Sequence, residues 1–331
     1  MGNRLQKYLS LLACAALQLL ATVPAIAGDY DFVVSADGSG DFRTVQEAIN
    51  AVPDFRKNET LIFIKKGTYK EKLVLAGSKK NVVFIGEERE TTILTYDDFA
   101  SKKNRFGEEV GTTGSSSFYV FGDGFRAENI TFENSSGPVG QAVAVRIDGD
   151  QVAFINCHFS GFQDTLYPHG EKSHQYYRSC IIEGSVDFIF GWSTAVFDKC
   201  TIICKDQGYI TAPSTNEGTP YGFVFLNCKI TGEASEASFY LGRPWRPFGK
   251  SAFLHCELGK MIHPSGWHNW DKPDAEKTTT FSEYKNTGPG VSANQRVSWS
   301  HQLTDEEASA FSPENMLGDW VKKFEINNQK K

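Results

Sequence analysis

The chain has 331 residues, with 34 Lys and Arg against 40 Asp and Glu and a formal net charge of -6. That balance offers no basic patch to hold a nucleic acid backbone. The cysteines and histidines include neither a Cys-x-x-Cys pair nor a His-Glu-x-x-His run, so neither a metal nor another cofactor is expected.

Residues 1–27 read as a signal peptide: Arg4 and Lys7 form a basic start, Leu9 to Val23 is largely apolar, and Ala25-Ile26-Ala27 is a small-residue cleavage site. A membrane span fits less well, because the apolar run is short, contains Gln18 and is broken by Pro24. Cleavage near Ala27 removes two positive charges and no negative ones, moving the net charge from -6 to -8. Residues 28–331 contain no linker-like stretch, so they read as one elongated domain. It is expected to be secreted or periplasmic, monomeric and not inserted in a membrane.

Thr44 and Glu47 then form a capping box, and Val45, Ala48, Ile49 and Val52 share one helical face that stops before Pro53. From Ile130 a short strand recurs in which Cys, or Ile once, is followed two residues later by a large apolar residue. The copies start at Ile130, Cys157, Cys180, Cys200, Cys228 and Cys256, at intervals of 27, 23, 20, 28 and 28. An aromatic residue stands three positions before every one of these cysteines, at Phe154, Tyr177, Phe197, Phe225 and Phe253. Residues i and i+2 of a strand share a face, so each copy buries a short stripe. Repeats of this length without a helical period predict an all-β parallel β-solenoid. Further short helices are predicted from Thr304 with Glu307 and from Ser312-Pro313, so both ends would be capped. Cys180 and Cys200, in adjacent coils, are expected close enough to form a disulfide, unless the cysteines form a reduced stack of small apolar side chains.

The same frame locates two carboxylates. Asp164 and Asp187 each lie seven residues after a repeat cysteine, and Gly161 and Gly184 four after, so Gly161 to Tyr167 aligns with Gly184 to Phe190 without a gap. Counted the same way, Gln207 and Ser235 follow in the next coils. Stacked coils bring equivalent residues to about 4.8 Å. Two carboxylates so close repel, one keeping its proton while the other ionises, which suits acid/base work beside a nucleophile. A single Asp in such a loop is usually a turn residue, but two in register are harder to explain that way.

Gln141-Ala-Val-Ala-Val-Arg146, Gly161 to Tyr167, Gly184 to Gly191 and Leu241-Gly-Arg243-Pro-Trp245 resemble, in this order, the pectin methylesterase family of carbohydrate esterases. The resemblance runs from about Val33 to Trp320 and implies a single-stranded right-handed parallel β-helix acting on methyl-esterified pectin. It also implies Asp187 as nucleophile on the C6 methyl ester of galacturonate, Asp164 as general acid and base, Gln141 and Gln163 as oxyanion donors, and Arg243 as the group orienting Asp187. It would put Trp245, Tyr167, Phe190 and Trp267 along the saccharide cleft. Phe162 departs from the family pattern, in which Tyr is common. Two carboxylates near 5 Å also suit a retaining glycosidase, which has no use for the paired glutamines. A lyase acting on pectin and a non-catalytic polysaccharide-binding solenoid stay open as well.

Overall fold

The computed structural model describes residues 30–324; the signal peptide expected at residues 1–27 lies outside the described residues. The described strands fall into three sheets of 11, 8 and 7 strands, and every strand pair in them is parallel. The chain visits the sheets in turn, so each circuit is one coil of a β-helix. Each coil must leave one sheet and enter the next within a few residues. Asn129, Asn156, Ser179, Lys199, Asn227 and His255, each immediately before a repeat position, make that corner in the left-handed region, with φ between 51° and 57°. Asn tolerates this conformation better than most residues, and it occupies three of these six corners.

The repeat positions stack as their spacing predicts. Ile181 N–H donates to the Cys157 carbonyl, Thr201 N–H to that of Cys180, Lys229 N–H to that of Cys200 and Glu257 N–H to that of Cys228. The thiols face inward, and the Cys180, Cys200 and Cys228 S–H groups reach the carbonyls of Phe154, Tyr177 and Phe197 one coil back. All six cysteines from Cys157 to Cys256 are free, so this is the reduced stack and not a Cys180–Cys200 bridge. The aromatic residues before them form a second ladder, with ring centroids 5.2 Å apart for Phe154–Tyr177, 4.6 Å for Tyr177–Phe197, 4.5 Å for Phe197–Phe225 and 4.3 Å for Phe225–Phe253. Offset stacking adds about 0.5–1.5 kcal/mol per pair to the burial of the rings.

The first helix, Val45–Ala51, has its Thr44/Glu47 capping box and buries Val45, Ala48 and Ile49 against the start of the solenoid. Glu71 accepts from the N–H groups of Val45 and Gln46, holding the helix N-terminus. The C-terminal helices, Asp305–Ala308 and Pro313–Leu317, form where predicted. They belong to a separate apolar layer on the outer face of the 11-stranded sheet, where Met316 and Leu317 cluster with Tyr176, Val196 and Val224.

Candidate active site

A cleft of about 590 Å³ opens on the seven-stranded sheet. Asp164 and Asp187 sit in its floor, each just before a strand of that sheet: Leu166–Pro168 and Ile189–Gly191. Leu166 pairs with Ile189, and Asp164 N–H donates to the Val186 carbonyl, so the two aspartates are equivalent residues of adjacent coils. Both take left-handed backbone, φ 64° and 50°, which aims their carboxyls off the strand and into the cleft. Gly184 makes the turn before Asp187 tight: a Cβ there would lie 2.3 Å from the Phe188 Cβ and 2.6 Å from the Phe162 carbonyl oxygen.

The carboxylates have different surroundings. Arg243 grips Asp187 with both edges of its fork, Nε to Oδ1 at 2.8 Å and Nη2 to Oδ2 at 2.7 Å. The guanidinium is itself held flat between Tyr209 and Trp270, at 3.8 and 3.7 Å from their ring centroids. Among the described residues no group hydrogen-bonds the Asp164 carboxyl. Burial, then the charge of Asp187, push Asp164 well above the usual carboxylate range, against the pull of Arg243. Burial raises Asp187 as well, but hydrogen bonds and charge from Arg243, and the charge of Lys272, oppose it. Asp164 is therefore the carboxyl raised further, and Asp187 the more acidic of the two.

Gln141 and Gln163 line the same cleft, and neither side-chain amide is spent on a protein partner among the described residues. Tyr167 and Phe190 stack at 4.0 Å to form an aromatic floor, with the Trp245 centroid 5.7 Å from Phe190. Burial pushes the Tyr167 phenol up to about 12, so it stays protonated.

Trp267 is not at the cleft. It is 1% exposed, stacked at 4.5 Å on Phe281 inside the coil, while Trp270, three residues on, lines the cleft. The counting that gave Gln207 and Ser235 as equivalents of Asp187 also fails. Ile189 pairs with Thr211, and Tyr209 with Tyr240, so extra residues in the later coils put Tyr209 and Tyr240 at that place. Sequence reasoning also missed Thr112 and Thr113, which form part of the cleft wall in the one-turn helix Gly111–Gly114; a Gly-Thr-Thr-Gly run carries no helical signal of its own.

Fold and cleft together define a β-helical enzyme built around an unequal pair of aspartates, with an aromatic floor suited to sugar rings. Comparison with known proteins narrows the class. The model of the Pectinesterase family matches residues 31–319, and the chain belongs to that family. It is 46% identical over 286 residues to Pectinesterase 31 of Arabidopsis thaliana, covering 84% of this chain and 89% of the relative. A match at 35% identity to Pectinesterase 4 of the same plant covers 89% of this chain and 52% of that longer protein. Among solved structures, the pectin methylesterase from carrot superposes with a TM-score of 0.81 at 35% identity, covering 89% of this chain and 95% of that one. Pectin methylesterase from Erwinia chrysanthemi gives 0.78 at 30% identity, covering 89% and 98%. The right-handed parallel β-helix expected from the resemblance is the fold of these neighbours.

Proposed function

We propose that this chain hydrolyses the C6 methyl esters of galacturonate units in pectin, releasing methanol and leaving pectate, with Asp187 as nucleophile. Family membership supports the activity. The single observation that carries the residue roles is the unequal pair: two aspartates in register, only one of them clamped by Arg243.

An Asp187 oxygen attacks the ester carbonyl carbon, and the oxyanion of the tetrahedral intermediate accepts N–H bonds from Gln141 and Gln163. As the C–O bond to the methoxy group breaks, Asp164 gives it a proton and methanol leaves. The Asp164 carboxylate then takes a proton from water as the water attacks the acyl-enzyme, which frees Asp187 and the galacturonate. A raised Asp164 suits the first step, because the acid must hold its proton near working pH. Arg243 keeps Asp187 ionised and fixes which oxygen faces the substrate. Tyr167, Phe190, Trp245 and Trp270 bind the sugar rings flanking the reacting unit. The protein acts as a monomer after export and cleavage near Ala27, without a membrane-inserted segment.

Product analysis on highly methylated pectin tests this reading. Methanol release without new reducing ends or unsaturated ends is expected. New reducing ends would instead indicate a glycosidase, unsaturated ends a lyase, and binding alone a non-catalytic module.

A further inference from the structure

Strands of the 11-stranded sheet point alternate residues outward, under the C-terminal segment. Most of this outer row is apolar, as at Leu226 and Leu254, but Arg178 and Asp198 lie opposite each other in it. They border a second cleft of about 560 Å³, walled by Leu254 and by Phe311 of the C-terminal segment, with Lys199 and His255 at its exposed corners.

The Arg178 side chain is 8% exposed, yet it is poorly partnered. Its Nη1 donates to the Tyr176 hydroxyl at 3.4 Å and stands 3.9 Å from Asp198 Oδ2, beyond hydrogen-bond range. That same Asp198 oxygen already accepts from the Tyr176 hydroxyl at 3.1 Å. Among the described residues Nε and Nη2 have no acceptor. These two donors are not among the buried unpartnered atoms of the described residues, so they open onto the cleft, where one carboxylate can satisfy Nε and Nη2 together. Lys199 forms no ion pair among the described residues and adds a second positive charge at the rim.

We propose that this cleft is a second binding site, for a uronate: a sugar ring whose carboxylate pairs with Arg178 and whose apolar face rests on Leu254 and Phe311. The occupant that fits is a demethylated galacturonate unit of the product, so the proposal rests on the esterase reading. The site belongs to a different sheet from Asp187 and would tether the enzyme to already demethylated polymer.

The test is isothermal titration with an unesterified galacturonate trimer, alongside methanol release from a short methylated oligomer. Wild type should show two sites. Arg178→Gln should lose one of them on the order of tenfold or more in affinity, as for a broken charge-assisted hydrogen bond, and keep methanol release within about twofold. Lys199→Glu, at an exposed corner, keeps the fold if Arg178→Gln does not, and should weaken the same site. A single site, or two sites indifferent to both substitutions, overturns the proposal. Absence of methanol release by wild type would instead sink the esterase reading, and the trimer titration would still decide the second cleft. Inorganic phosphate displacing the trimer from the Arg178 site as well as a second trimer does would overturn the claim that a sugar ring is recognised.

Discussion

Replacing Arg243 by Gln gives the strongest test of the unequal carboxylate pair. The substitution removes two short hydrogen bonds to Asp187, at 2.8 and 2.7 Å, and the positive charge that opposes the burial of both aspartates. Charge-assisted bonds contribute about 1.5–3 kcal/mol each, so a loss of about 3 kcal/mol in transition-state stabilisation is a conservative figure, roughly a hundredfold or more in kcat/KM. The pH profile should move as well. The proposed mechanism needs Asp187 ionised and Asp164 protonated, so Asp187 would set the acid limb and Asp164 the alkaline limb. Arg243 lowers both, hence its loss shifts the whole bell to higher pH, the acid limb more because Asp187 alone loses hydrogen bonds. Arg243→Lys keeps the charge without the fork and the Tyr209/Trp270 stacking, and should give a smaller shift with a large part of the rate loss. Methanol release measured from acid to alkaline pH on folded variants is the assay. An acid limb that stays in place in Arg243→Gln would refute the reasoning.

Asp164→Asn should abolish most turnover and yet stabilise the protein at neutral pH. The folded state binds the Asp164 proton more tightly than the unfolded chain, so stability falls as pH rises from the ordinary carboxylate range through the raised value. The amide removes that loss, so the gain is largest above the raised value, fades toward about pH 4 and is readable as a pH-dependent difference in Tm. Gly184→Ala should cost about 1–3 kcal/mol in denaturant unfolding, because its methyl meets the Phe188 Cβ and the Phe162 carbonyl. Trp270→Ala should raise KM on pectin and also lower kcat, since the ring both lines the cleft and holds one face of Arg243; a change in KM alone would remove it from the Arg243 clamp. Thiol titration of denatured, unreduced protein lacking residues 1–27 should find six thiols, whereas four would place a disulfide among Cys157 to Cys256.

The coil repeat was readable because stacking leaves a periodic mark: an inward cysteine and an inward aromatic residue at fixed offset recur whatever the loops between them do. The carboxylate pair was readable for the same reason, since Cys157 to Tyr167 and Cys180 to Phe190 have equal length. That counting fails one coil later, because the loops before Tyr209 and Tyr240 are longer and hydrogen bonding follows the strands and not the count from the cysteine. Trp267 and Trp270 were indistinguishable by composition; the parallel bridge of Trp267 to Gly242 turns the first into the coil, and the second comes back over Arg243. The Arg178 cleft left no trace in the sequence, since it depends on where the C-terminal segment folds back across a distant sheet.

The most direct test of the central claim is methanol release from highly methylated pectin by folded Asp187→Asn. An amide cannot attack the ester or form the acyl-enzyme, so the rate should fall to that of the uncatalysed reaction, with the double variant Asp164→Asn/Asp187→Asn scarcely worse because the two aspartates act as one unit. A rate near that of the wild type would contradict the assignment of Asp187 as nucleophile.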